Sequence, residues 1–295
     1  MNTLSRDQQV AIIAALTEGC SIRSVERLTG VHRDTIMRLS VRVGMGAARL
    51  HDRTMHSLRV NRIEMDEVWS YVGKKRRQVT KADGPDVGDQ YVFTALASSA
   101  KAIISYRIGK RDGENTGAFI ADLRQRVLGR PELSTDGWPA YADAIEQAFG
   151  ASCTYGQVVK TYSVTHLAVT EASRRYSPAQ VVAVDRQAIV GMPLHISTSY
   201  AERSNLSLRM ASRRFTRLTN GFSKKLENHA AAVALYVAHY NLCRVHEALR
   251  ITPAMAVGVA DHIWTIGELV NACLANAPID RRRRRNFRVI QGGKA

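Results

Sequence analysis

Cysteine is scarce in this chain of 295 residues: Cys20, Cys153, Cys243 and Cys273 lie far apart and form no CxxC pair. That spacing argues against a disulfide framework and a cysteine zinc site, and it fits a reducing compartment. Long apolar runs are lacking too. The longest uncharged one, Ala230 to Cys243, has about 14 residues and contains His239 and Asn241, whereas a bilayer span needs about 20. The opening MNTLSRDQQVAII has no signal-peptide pattern. No lipidation signal or sustained basic amphipathic anchor is present. These absences lead us to expect a cytoplasmic protein without a membrane partner.

Acids are the other shortage. Asp and Glu total 26 against 42 Lys and Arg, giving a net charge of +16. Such a balance speaks to partners rather than fold, and nucleic acid is the polyanion it points to. The 45% hydrophobic content is ordinary, and this length has room for one large domain with an appendage, or for two domains.

The shortage of acid is sharpest in HISTSYAERSNLSLRMASRRFTRLTNGFSKKLENH, residues 195–229. From Arg203 to Lys225 there are seven cations and no acid, and Glu202 stands just before them. A helix wanted only for solubility would mix signs through i,i+4 pairs. One that meets a polyanion while offering a metal ligand would look like this, with Arg203, Arg209, Arg213 and Arg214 facing DNA. Arg209 follows Glu202 by about two helical turns, so it lies on the same face, where it could hold a phosphate beside the metal site.

The chain opens on helical periodicity. Leu4 to Leu16 reads as a helix with Ser5 as N-cap, stopped by Gly19. SIRSVERLTG is a second, short helix ending at Gly30. VHRDTIMRLSVRVG is a third, burying Ile36, Leu39 and Val43. Two short helices joined by a glycine-containing turn describe a helix-turn-helix, whose second helix would present His32, Arg33, Thr35, Arg38 and Arg42 to DNA. Residues 46–60 (GAARLHDRTMHSLRV) read as a connector, with a helix as one option.

From Asn61 the period changes. RIEMDEVWSYVG, YVFTALAS and AIISYRIG read as three antiparallel strands, with a charged loop after the first. NTGAFIADLRQRVLG is an amphipathic helix, PELSTDG a strand and PAYADAIEQAFG another helix. Three strands, helix, strand, helix is the order of a ribonuclease-H-like domain. SPAQVVAVDRQAIVG reads as a hairpin or strand pair. A long helix is expected from Asn228 to Leu249, and RRRRRNFRVIQGGKA as a basic tail without periodicity. The domain expectation is therefore a helix-turn-helix over 1–45, the connector over 46–60, an α/β, mixed-sheet catalytic domain over 61–275, and the tail over 276–295.

Three acids could meet in this order of elements. Asp66 lies within the first strand, Asp136 at the end of the fourth, and Glu202 at the start of the late helix. A charge inside the apolar alternation of residues 61–73 is costly unless paired or metal-bound. Two divalent cations about 3.5–4 Å apart can activate an attacking oxygen and neutralise a leaving one, and Mg²⁺, or Mn²⁺ in its place, takes hard oxygen ligands. Glu64 shares the parity of Asp66. Glu67 is turned to the other face by the two-residue period.

DEVWSYVGKK at 66–75, STDGWPAY at 134–141, the 195–229 block and YNLCRVHEALRITPAMA at 240–256 together resemble bacterial insertion-sequence transposases with a DDE active site, in the family of insertion sequence one. The resemblance spans nearly the whole chain, to about residue 270. It implies a ribonuclease-H-like fold, DNA strand cleavage and transfer to target DNA by the freed 3′-hydroxyl, and a homo-oligomer on double-stranded DNA. Carried over by position, the triad falls on Asp66, Asp136 and Glu202, with Arg209 where many such enzymes have lysine. The N-terminal cysteine zinc motif of some members is missing here. Two other readings compete: a helix-turn-helix regulator or inactive remnant, and a stand-alone metal-dependent nuclease.

Overall fold

A computed structural model describes residues 4–163, 180–216 and 221–275; the expected basic tail lies outside them. The chain begins with α1 (Arg6–Thr17), α2 (Ile22–Thr29) and α3 (Arg33–Thr54). Ser5 and Gln8 form a reciprocal capping box on α1, Ser21 caps α2, and Gly30 ends α2 at a φ of 68°, a conformation glycine adopts without a Cβ penalty.

α3 continues well past residue 45. Its second half packs along α7 (Leu226–Leu242) and α9 (Ile266–Leu274). Contact is so close that a Cβ on Gly44 would stand 2.2 Å from the Ala231 carbonyl oxygen, and one on Gly46 would stand 1.9 Å from that of Cys273. Residues 46–54, which read as part of a connector, are thus packed helix. Arg126 fastens the end of α3 to α4 (Gly113–Arg126), pairing with Asp52 and Asp122 at 2.7 Å each.

The centre is a six-stranded mixed sheet. Its strands are β2 (Arg62–Val72), β3 (Gly88–Ala97), β4 (Ala102–Gly109), β6 (Glu132–Asp136), β7 (Thr154–Ser163) and β8 (Gln180–Val190), in the order β4-β3-β2-β6-β7-β8. β2, β3 and β4 are antiparallel, β6 runs parallel to both β2 and β7, and β8 returns antiparallel to β7. The short strands β1 (Leu58–Arg59) and β5 (Val127–Leu128) pair separately. The segment read as a hairpin or strand pair contributes β8, a single strand partnered by β7.

Alternation along the strands sorts the core into two layers. Met65 and Phe93 pack with Phe119 and Leu123 of α4 and with Tyr141 of α5 (Ala140–Phe149), in a cluster that also takes in Ile13 and Ile36 of the first helices. Val68 and Val92 pack on the opposite side with Leu208 of α6 (Ser199–Ala211) and with Val233 and Val237 of α7.

α7 stops at Leu242, seven residues short of the expected Leu249. The chain folds back there: the His246 N–H donates to the Ile251 carbonyl, and Arg250 takes a φ of 58°. A four-residue helix, α8 (Pro253–Ala256), then leads to α9.

Candidate metal centre

β2 and β6 pair over three positions only: Arg62 with Glu132, Ile63 with Leu133, and Glu64 with Ser134. The same register carried two residues further sets Asp66 opposite Asp136, where β6 ends. The strands no longer pair there, so the carboxylates stand at the mouth of two parallel strands. Asp136 is fixed by its own turn, its Oδ1 accepting from the Trp138 N–H at 3.0 Å.

Carboxylate oxygens of Asp66, Glu67 and Asp136 all lie within 4.8 Å of one another. Parity gives Glu67 its face but does not limit its reach. Glu67 points toward α5 and Asp66 toward α6, yet the unpaired mouth lets both reach Asp136.

Each acid has a different environment. Asp66 accepts from the Glu67 N–H and from Asn205 Nδ2, each at 2.9 Å. Burial, together with the nearby charges of Asp136 and Glu202, pushes its pKa up to about 6. Glu67 is 3% exposed and pairs with Arg111 at 3.2 Å. Burial and Asp136 push its pKa up to about 7. The same Arg111 pairs with Asp136 at 2.9 Å and lies 4.4 Å over the Trp138 ring.

Glu202 sits in the first turn of α6. It is near enough to Asp66 to raise that group's pKa, but it lies outside the three-carboxylate cluster. Burial opposes its ionisation, yet hydrogen bonds from Lys160 and Thr198 hold its carboxyl below the usual glutamate range. The sequence triad therefore divides: two aspartates meet, and Glu202 flanks them, held by a lysine.

Glu64 holds α6 in place. It is buried, and its carboxylate accepts the N–H groups of Tyr200 at 2.7 Å and Ala201 at 3.2 Å. Those are first-turn donors that a helix cannot satisfy internally, and Thr198 supplies no side-chain cap bond. β6 tethers the preceding segment: Glu132 accepts from the N–H groups of Leu194 and His195, and Ser134 Oγ from that of Ser197.

These partners were missed in the sequence. Asn205 had a readable signal, since it follows Glu202 by three residues on a helix and so shares its face. Arg111 and Lys160 had none, because each reaches the acids from a separate element.

The donor set fits a divalent cation. It consists of hard carboxylate oxygens, as Mg²⁺ or Mn²⁺ prefers, and Glu67 Oε1 is buried without a hydrogen-bond partner.

Of the residues expected to touch DNA, His32, Arg33, Arg38 and Arg42 are exposed along α3, and Thr35 is half-buried. Arg203 and Arg213 are exposed and Arg209 is half-buried. Arg214 turns inward and donates to Ser223 Oγ.

The fold and site together define a mixed α/β protein with an acidic cluster able to hold metal, its six-stranded sheet consistent with a ribonuclease-H-like fold. The chain is a distant homologue of the InsB proteins of insertion element IS1. It is 26% identical over 179 residues to InsB of Shigella sonnei, which spans 60% of this chain and 95% of that protein. An InsB protein of Escherichia coli strain K12 matches at the same identity over 75% of its length, as does that of Haemophilus ducreyi. No protein-family profile matches. Among solved structures, the piggyBac transposase synaptic complex with hairpin DNA aligns with all of this chain and 78% of that one, at 11% identity and a TM-score of 0.41. Among the described residues, no helix is long and apolar enough to cross a membrane.

Proposed function

We propose that this chain is a metal-dependent DNA transposase that cleaves strands at the ends of its element and joins the freed 3′-hydroxyl to target DNA. The observation that carries the reading is the gathering of Asp66, Glu67 and Asp136 within 4.8 Å, in a distant homologue of the IS1 InsB proteins. Asp66 and Asp136 would be the principal ligands of two Mg²⁺ or Mn²⁺ ions, with Glu202 completing the set on release from Lys160. When bound, such ions activate the attacking oxygen and stabilise the leaving one. Asn205 would orient Asp66, and Arg111 would offset the charge of Glu67 and Asp136 until metal and phosphate arrive.

DNA contact follows from the exposed cations. α1 to α3, read as a helix-turn-helix, would set Arg33 and Thr35 near base edges, since such helices read the major groove from their N-terminal residues. Arg38, Arg42, Arg203 and Arg209 would meet phosphates. Synapsis of two element ends would require a homo-oligomer.

The test is nicking of a plasmid carrying the native element ends. The wild-type chain should cut it only with Mg²⁺ or Mn²⁺. Asp136→Asn should lose cleavage by orders of magnitude and retain end binding. Cleavage by Asp136→Asn near the wild-type rate would overturn the assignment. Metal-dependent cleavage absent from the wild type as well would leave a DNA-binding regulator.

A further inference from the structure

A cavity of about 690 Å³ lies between the α1–α2 turn, the end of α6 and α7, some distance in sequence from every carboxylate of the metal centre. Its volume falls within the range of about 300–1,000 Å³ usual for small-ligand sites. Its apolar wall includes Phe222, Leu235 and Tyr236; among the described residues its cations are Arg23, Arg213 and Arg214, and no acidic residue lines it.

Two features of the wall call for a ligand. Among the described residues no carboxylate forms an ion pair with any of these three arginines. Arg214 is the telling one, because its guanidinium is largely buried with only the Ser223 hydroxyl as partner, and buried cations ordinarily meet an anion. Tyr236 is 7% exposed, and its buried hydroxyl has no hydrogen-bond partner. The start of α2 forms part of the same wall through Ser21, Ile22 and Arg23, and the first N–H groups of a helix favour an anion.

We propose that this cavity binds one nucleoside phosphate unit, with the base against Phe222, Leu235 and Tyr236 and the phosphate toward Arg213, Arg214 and the start of α2. The apolar wall is wasted on a bare phosphate, and the unpaired arginines are wasted on an uncharged base. Two sources supply this chemistry: a free nucleotide, or an unpaired nucleotide of bound DNA. The second source rests on the DNA-binding reading above.

Isothermal titration of the full chain with dAMP, deoxyadenosine and inorganic phosphate tests the site. dAMP should bind more tightly than either of the others. Arg23→Glu, at an exposed position, should weaken dAMP by about tenfold or more, the size of a lost contact to a charged group. Ala232→Phe, which fills the cavity from α7, should abolish binding while leaving a folded protein by thermal melt. Duplexes with and without a single unpaired adenine separate the sources. Preference for the unpaired adenine, lost in Ala232→Phe, assigns the site to DNA; dAMP binding without that preference assigns it to free nucleotide. If dAMP binds no better than phosphate, or binds Ala232→Phe equally well, and no duplex preference appears, the proposal fails. End binding and metal-dependent cleavage, measured separately, would stand regardless.

Discussion

Glu64 and Tyr200 lie 136 positions apart, yet the Glu64 carboxylate accepts the Tyr200 backbone N–H at 2.7 Å. Through this bond a buried side chain of β2 acts as the cap of α6 and so sets where Glu202 and Asn205 stand. Glu64→Met keeps the bulk but removes the oxygen, Oε2, that accepts both N–H groups. Stability should fall by about 1–3 kcal/mol, as for a buried donor left unpaired, while Mg²⁺ still protects the variant against thermal unfolding. Chemical denaturation with and without Mg²⁺ measures both effects. An unchanged stability would show that α6 is held by something else.

Asp66→Asn should behave in the opposite way. It removes a charge from the cluster rather than a cap from α6, so the fold should persist. The wild type should melt higher with Mg²⁺, and in Asp66→Asn that rise should disappear, since a ligand stabilises only what it binds. Persistence of the full Mg²⁺-dependent shift would place the metal elsewhere.

Asn205→Ala should leave metal binding measurable but lower cleavage by about 10–100-fold, the usual effect of losing a group that orients a metal ligand. Its Nδ2 bond to Asp66 is what sets the carboxylate's direction. Cleavage at the wild-type rate would mean that the backbone N–H of Glu67 alone suffices.

Gly46→Ala pits propensity against packing. Alanine in a helix interior is better than glycine by about 1 kcal/mol, but here its Cβ would stand 1.9 Å from the Cys273 carbonyl oxygen. α3 and α9 would have to separate, and overpacking of this kind costs about 1–3 kcal/mol or more. A net loss of stability is expected by urea denaturation. A gain would show that the two helices are not in such close contact.

His51 should make the fold sensitive to acid. Burial first, and Arg126 second, lower its pKa to about 4, and its Nε2 bonds the Ile104 carbonyl at 2.9 Å. Between pH 6.5 and 4 the unfolded chain binds a proton at this position that the folded one refuses. Stability from this group is therefore full above about pH 6.5 and declines as pH falls toward about 4, by about 3 kcal/mol in all. Burial acts similarly on His229, also lowered to about 4. Asp66 and Glu67 titrate with the opposite sign in an overlapping range, so the comparison to make is wild type against His51→Gln. The variant should lose less stability between pH 6.5 and 4; equal losses would acquit His51.

The sequence alone determined what is encoded locally. Ser5, Ser21 and Gly30 announced the ends of the first helices, because capping and left-handed φ depend on one or two residues. The change from helical to two-residue period marked where the sheet begins. Asp66 stood out as a charge inside an apolar alternation, Asp136 as an acid at a strand end, and Glu202 as the acid that precedes a run of cations. Only the tertiary structure decided what depends on where strands stop pairing. The β2–β6 register ends at Glu64 and Ser134, and that brings Glu67 into the cluster despite its parity, since periodicity assigns a face but not a reach. The extension of α3 beyond Gly44 was also settled by packing: two glycines that weaken an isolated helix are what allow α7 and α9 to approach it. Arg111 and Lys160 find the acids by long-range contact, and no spacing along the chain encodes a meeting of separate elements.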